Sequence, residues 1–413
     1  LKMAQKGKNI VIIGTMDTKA EEALYLKELI ERRGHNALVM DLGIGGEVPF
    51  QPDFPRDKVA LATGRSLEEI RTSAGPQRYS EVLFAMAEGA TKIIRDMSAE
   101  GKVHGLLSIG GSLGTSQALA TMRALPLDFP KMALSTVAFI SQAITSDMVS
   151  MDQAMMQSVA DLWGINRITR MALQRAAGAI CGMAETQEEE QDVEQKPLVG
   201  ITCLGVHHYV DRCKALLQEK GYEPVVFHSV GSCALERLIE QGYFSGVLDL
   251  SAYELVNYVC GGLVKGGEIK FTVAGEKGIP QVIGPGAMDF FPLLMSEPLS
   301  AEHQKRRHLQ HAMVNLVKST PQEQEKIATL LAEKVNKAKG PTAVLVPLEG
   351  FSRLDRGKEA PFYEPGAGRR FMDVLEQKVS NPLVKTEAIE AHINDPAFAE
   401  RATALLLAMY KTP

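Results

Sequence analysis

Short apolar runs alternate along this chain with longer stretches in which apolar residues recur every three or four positions. Asn9–Gly14 is a continuous apolar run and predicts a buried strand. From Ala20 to Arg33, Ala23, Leu24, Leu26, Leu29 and Ile30 fall along one helical face, and Gly34 closes the helix. Ala37–Asp41 predicts a second strand, Ser80–Ala99 a helix, Gly105–Ile109 a third strand and Lys131–Ser135 a fourth. The periodic run Asp152–Met183 predicts helix broken near Gly164. Residues 185–196 then lose all periodicity, hold a single apolar residue and precede Pro197, so they read as an acidic linker between domains 1–184 and 197–413.

The second half repeats the alternation. Strands are predicted at Leu198–Thr202, Pro224–Phe227, Gly246–Leu250, Gln281–Gly284 and Ala343–Pro347, with helices between them. One helix starts at Pro321 and runs to about Ala338, and Pro396–Met409 forms a closing helix. Continuous apolar strands separated by helices predict an α/β protein of two Rossmann-like domains, each a mostly parallel sheet covered by helices. Eight evenly spaced units, as a barrel would need, are not visible.

Composition narrows the function classes. With 45% hydrophobic and 23% charged residues the chain is globular, and its 413 residues suffice for two cores. Net charge is −5, and the one basic cluster, Lys305–His308, reads as a solvated helix face, so there is no direct nucleic-acid signal. Five cysteines without CxxC or metal spacing predict reduced thiols and no metal site. No signal-peptide core or membrane-length apolar run is present, which predicts a cytoplasmic protein without a membrane partner.

The most informative segment is Ser108–Gln117, SIGGSLGTSQ, where a buried strand hands over to a helix. Such a junction leaves unpaired N–H groups at the positive end of a helix, which suits a phosphate or carboxylate. Gly110, Gly111 and Gly114 are expected to allow close approach and positive φ, with Ser112, Thr115 and Ser116 adding hydroxyls. The plain alternative is a tight turn that binds nothing. The first strand ends in Gly14-Thr15-Met16-Asp17-Thr18-Lys19, where Lys19 offers a mobile charge for phosphate and Asp17 a carboxylate for a sugar hydroxyl or hydrated Mg2+. Equally, Thr15, Asp17 or Thr18 caps the following helix. Ser135 and Thr136 follow the fourth strand, with Asp147 and Asp152 nearby and Asp152 suited to cap a helix; Asn166, Arg167 and Arg170 form a polar helix face. There is no GxGxxG fingerprint and no Walker loop.

In the second half His207 and His208 offer acid–base or anion-binding groups. His228, Asp249 and Asp289 each follow or end a strand and are the candidate catalytic residues, and Ser232 either helps cradle an anion or caps a helix. Ser352, Arg353 and Asp355, with the rigid loop Pro361–Pro365, either close over a ligand or pack as a surface loop.

Taken in order, Gly14–Lys19, Gly110–Thr115, the segment from Asp152 through Asn166 and Arg170 to Met183, Gly221–His228, Gly284–Asp289 and Pro361–Pro365 resemble one family. It comprises bacterial and fungal proteins related to the ATP-binding N-terminal region of the tomato protein that confers resistance to tomato mosaic virus. The resemblance covers essentially the whole chain. It implies nucleotide binding by the first domain, with contacts at Gly14–Lys19, Gly110–Thr115 and Ser135–Thr136, and self-association as a homodimer or higher homo-oligomer. In the plant relative this region inhibits viral RNA replication and is joined to a TIM-barrel domain that is absent here. Leu250-Ser-Ala-Tyr253 after Asp249, and the His207–His208 pair, depart from the family pattern.

The expected function is therefore ATP binding, with or without Mg2+, at the Gly/Ser/Thr-rich turn near an interdomain cleft. Two alternatives stand beside it: a non-catalytic, nucleotide-responsive interaction or regulatory protein, and an enzyme for a non-nucleotide anion. If ATP supports catalysis, a small acidic or carbonyl substrate is expected in the second domain.

Overall fold

In the computed structural model, which describes residues 7–73, 79–138, 152–186, 195–231, 233–264 and 266–410, the apolar runs of the first half become strands of one parallel sheet. The chain divides into two compact units, Leu1–Gln191 and Asp192–Pro413. The first contains β1 (Asn9–Gly14), β2 (Asn36–Asp41), β3 (Gly105–Gly110), β4 (Lys131–Ser135) and β5 (Ala154–Gln157), in the spatial order β2-β1-β3-β4-β5. All neighbours are parallel, with Ile10 opposite Gly105 and Ile13 opposite Ser108 across the β1–β3 pair.

Both faces of this sheet are buried because successive strand residues point to opposite sides. Ile10, Ile12 and Val39 pack under the helices Met16–Glu31 and Arg167–Glu185, against Leu26, Ile30, Leu173 and Ile180. Val11, Ile13 and Leu106 face the helices Arg56–Ala62, Leu67–Thr72, Tyr79–Ala99 and Ser112–Arg123. Each fully buried aliphatic side chain contributes roughly 1.5–3 kcal/mol of transfer free energy, which is why uninterrupted apolar strands need cover on both sides.

Three expectations for the first half are corrected. Asp152–Met183 is not one broken helix: Ala154–Gln157 adds to the edge of β4, and the helix begins only at Arg167. Sheet pairing overrides the local helical periodicity there. Asp152 caps no helix; its Oδ2 accepts from the buried Lys131 Nζ at 2.8 Å, and Asn166 caps instead, accepting from the amides of Ile168 and Thr169. Gly110, Gly111 and Gly114 do not have positive φ. Gly110 is required for packing, since a Cβ there would lie 2.9 Å from Gly114 Cα.

The second unit has β6 (Leu198–Cys203), β7 (Glu223–His228), β8 (Phe244–Ser251), β9 (Gln281–Gly286), β13 (Thr342–Pro347) and β14 (Val384–Ile389), ordered β14-β13-β9-β8-β6-β7 and parallel throughout. Between β9 and β13 the chain inserts a three-stranded antiparallel sheet, β10 (Phe290–Leu294), β11 (His308–His311) and β12 (Val314–Lys318), ordered β10-β12-β11. The basic cluster is consequently no helix face. Arg306 follows the short helix Ala301–Gln304, pairs with Glu302 and Glu323, and leads into β11. No helix among the described residues is long and apolar enough to cross a membrane.

Beneath the β8 end lies a buried ionic cluster. Lys270 Nζ is 2.7 Å from Asp249 Oδ1 and 3.6 Å from Glu254 Oε2, and Thr202 Oγ1 donates to Asp249 Oδ1 at 2.6 Å. Burial pushes the carboxyl groups of Glu236 and Glu254 up to about 8, against the pull of Lys270 and with help from the Asp249 charge. Burial alone would lower Lys270, but Asp249, Glu254 and Glu236 together carry it above its ordinary value. At neutral pH the cluster thus favours a charged Lys270 and protonated Glu236 and Glu254.

A raised carboxyl pKa means the folded chain binds protons that the unfolded chain has released, so stability falls as pH climbs. The contribution of these two carboxyls to stability should be greatest below the usual 4.5 of Glu254, decline as pH rises to about 8, and level off above it. Glu254→Gln should flatten that decline in thermal melts taken across the range; an unchanged slope would contradict the assignment.

Candidate functional site

In a parallel sheet each strand must hand over to a crossover, and the turns leaving all strands collect at one edge. In the first unit the chain departs from β1 toward β2 on one side, while β3 leads to β4 on the other. The crevice between the β1 and β3 ends is the topological switch point at which open α/β sheets bind ligands. A cavity of about 360 Å³ occupies it. Thr15, Asp17, Thr18 and Lys19 line it from the end of β1, Gly43, Ile44 and Gly45 from the end of β2, and Gly111–Gly114 from the end of β3. Asp161 and Trp163 complete the wall, and Trp163 is 82% exposed.

The decisive donors are backbone groups. The helix Ser112–Arg123 starts after Gly111 without a side-chain cap. Its first intrahelical-type bond is Thr115 N to Gly111 O, at 2.8 Å. Among the described residues nothing accepts from the amides of Ser112, Leu113 or Gly114, and Ser112 and Leu113 are exposed at the cavity. Three free N–H groups and the positive helix end therefore meet open space.

Other predicted residues have different roles. Thr115 is buried, donates to Gly111 O at 2.7 Å and accepts from Ser135 Oγ at 2.6 Å, so neither hydroxyl faces a ligand. Thr136 holds its amide on Gly110 O and its carbonyl on Gln157, and does not line the cavity. Gly14 and Gly110 let main chains approach, a Cβ on Gly14 lying 3.0 Å from Ile109 O. Lys19 is not mobile: it is buried at a helical kink, with Nζ donating to Leu162 O and sitting 5.7 Å from the Trp163 ring centroid. Thr15 makes no side-chain cap; its Oγ1 meets Thr18 Oγ1 at 2.9 Å. Asp17 is half-buried, and its Oδ1 has no partner among the described residues. Asp147, and Ser232 of the second unit, lie outside the described residues.

Sequence reasoning missed what holds this edge together. Asp41, buried at the end of β2, accepts from Met16 N at 2.9 Å, Gly43 N at 2.8 Å and Arg56 Nε at 2.7 Å. Arg56 also donates to the carbonyls of Gly45 and Gly46. Asp41 thus stands in for the missing cap of the first helix and clamps the Gly43–Gly46 loop around Asp17. A Cβ on Gly46 would lie 2.7 Å from that of Asp17. The available signal was the string Asp41-Leu-Gly-Ile-Gly-Gly46 at a strand end, a carboxylate followed by residues that leave room for one.

In the second unit the three catalytic candidates are not gathered in one cavity. Asp249 is paired with Lys270, and Asp289 is buried with Oδ2 accepting from Ser352 Oγ at 2.7 Å. Burial, reinforced by the Asp355 charge, raises the Asp289 carboxyl well above the usual range. His228 is exposed and lines a separate cavity of about 340 Å³. His207 is buried, with Nδ1 accepting from Leu204 N and Nε2 donating to Phe351 O; burial pushes it down to about 3, so it stays neutral. Asp355 accepts the amides of Phe351 and Ser352 and the Nε2 proton of His392, while Tyr363, Glu364 and Pro365 border a third cavity of about 410 Å³.

Residues 8–189 match the Uncharacterised protein family (UPF0261) N-terminal domain, and residues 196–410 match its C-terminal domain. The chain belongs to this family. It is 36% identical over 396 residues to a UPF0261 protein of Clostridium tetani, covering 95% of this chain and 96% of the relative. It is 31% identical over 414 residues to the ToMV resistance protein Tm-1(GCR237) of Solanum lycopersicum, covering 94% of this chain but 54% of the tomato protein. Among solved structures, a UDP-GlcNAc 2-epimerase from Neisseria meningitidis bound to UDP-GlcNAc is 10% identical, with a TM-score of 0.22 over 67% of this chain and 82% of that one. A likeness at that level carries no information about ligands.

Replacing Asp41 by Ala would strand the buried Arg56 guanidinium and two amides. Loss of one partner of a buried pair costs about 3–5 kcal/mol. Urea unfolding of Asp41→Ala should show a loss of that order; a change below about 1 kcal/mol would remove Asp41 from its clamping role.

Proposed function

We propose that the first unit of this UPF0261 family member is a nucleotide-binding module that takes ATP, its phosphates resting on the amides of Ser112, Leu113 and Gly114. The observation that carries this reading is those three free donors at the mouth of the switch-point cavity. Amides at a helix start favour a phosphate over a neutral ligand because both the N–H groups and the helix dipole point at it. A cavity of about 360 Å³ falls within the range used by small-molecule and cofactor sites. ATP is favoured among nucleotides by the resemblance to the ATP-binding region of the tomato relative.

The remaining wall fits the rest of such a ligand. Asp17, with one buried oxygen lacking a partner, suits a ribose hydroxyl or a hydrated Mg2+. Mg2+ would neutralise phosphate charge beside Asp17 and Asp161. The exposed Trp163 offers a planar face at the cavity rim. Binding that regulates or recruits is favoured over turnover, because Asp249 and Asp289 are both committed to buried partners. Nucleotide hydrolysis that disappears in Asp289→Asn while binding persists would reverse that preference.

Ser112 is the first helical residue, the position at which proline is tolerated. Ser112→Pro therefore deletes one donor without breaking the helix. Calorimetry with ATP, GTP, ADP and inorganic triphosphate, with and without Mg2+, should find ATP bound. Ser112→Pro should weaken it about tenfold or more, with little change in the melting temperature. No ATP affinity in the parent chain, or an unaltered affinity in Ser112→Pro, would overturn the proposal, and binding of only a non-nucleotide anion would replace it.

A further inference from the structure

The second sheet has its own switch point, between β6 and β8, and the 340 Å³ cavity lies at the carboxyl ends of these strands. Leu204 and Val206 follow β6, His228 ends β7, and Tyr253 follows β8. The inserted antiparallel sheet supplies the opposite wall through Phe290, Leu309 and Leu316. The wall is predominantly apolar, and Phe290 stacks on Phe362 with centroids 5.8 Å apart and meets Tyr253 at a tilt, 5.5 Å away.

Among the described lining residues Arg353 is the one permanently charged side chain. Arg353, His228 and His311 line the cavity, and among the described residues no carboxylate does. The Arg353 guanidinium makes no hydrogen bond or ion pair with any described residue, although its amide is held on Val206 O at 3.1 Å. The buried acids explain how this loop is positioned. Asp289 accepts from Ser352 Oγ, which in turn accepts from Leu354 N at 3.0 Å, and Asp355 accepts from the amides of Phe351 and Ser352 and from His392 Nε2. His228 Nδ1 accepts from Val230 N at 3.3 Å, which leaves Nε2 as its remaining donor.

We propose that this cavity is a second binding site, for a small organic carboxylate with an apolar or aromatic body, whose carboxylate is received by Arg353. A guanidinium fork matches one carboxylate in two parallel bonds, and the apolar wall buries the remainder of the ligand. A single guanidinium set against a largely apolar wall suits a monoanion with a hydrocarbon body better than a free phosphate. Asp289 and Asp355 are positioning residues for the Arg353 loop.

The test uses the full chain and phenylacetate as probe, followed by calorimetry and ligand-observed NMR. Phenylacetate should bind, and phenylacetamide, which lacks the charge, should bind at least about tenfold more weakly. Arg353→Gln should cost a similar factor while leaving ATP binding and the melting temperature unchanged, because Arg353 is exposed and has no partner to lose. Absence of phenylacetate binding, equal affinity for the amide, or full affinity in Arg353→Gln would each overturn the proposal. So would inorganic phosphate binding more tightly than phenylacetate. The readout is independent of ATP, so failure of the nucleotide reading would not be mistaken for failure of this one.

Discussion

A parallel strand cannot pair with its predecessor until the chain has crossed back over the sheet, and that constraint organises both halves of this protein. It puts every strand-to-helix turn on one edge and leaves a gap wherever consecutive connections diverge. Both sheets diverge between their first and third strands, β1 and β3 in one and β6 and β8 in the other. Each gap contains a cavity walled by the residues that follow those strands. The chemistry available to the protein is thus decided by short turn sequences carried on rigid apolar strands.

The two edges use polar groups in opposite ways. In the first unit the helix-start amides at the cavity are donors left without acceptors among the described residues, and the satisfied polar groups beneath them are scaffold. Asp41 and Arg56 lock the β2 loop, while Thr115 and Ser135 tie β4 to the helix start. In the second unit most polar side chains at the edge are consumed by one another. Lys270 pairs with Asp249, Ser352 bonds to Asp289, and His392 to Asp355. Such groups are costly to bury alone and gain little net energy when paired, but they fix loop geometry strongly. An acidic residue at a strand end is therefore weak evidence of catalysis until its partners are known.

The alternation of apolar runs was enough to place β1, β4 and the closing helix Pro396–Met409 at their observed bounds, and to anticipate parallel sheets covered on both faces. It failed at Asp152–Met183, where pairing with β4 outweighed helical periodicity, and it did not reveal β10–β12, where β11 and β12 form a hairpin of short strands and β10 joins it from across the intervening segment. For the site, the Ser108–Gln117 string marked the donors because free amides at a helix start follow from local geometry. Local pattern did not show that the hydroxyls of Thr115 and Ser135 bond to each other, or that Lys19, expected to be mobile, is held by Leu162 O.

What the amino-acid order by itself determined is local: strand and helix type, the small residues at the β3 turn, and the carboxylates at strand ends. These depend on side-chain period and backbone freedom over a few residues. Only the tertiary structure decided which polar groups remain available, because hydrogen bonds such as Asp41 to Arg56 and Lys270 to Asp249 join segments whose proximity no local pattern encodes.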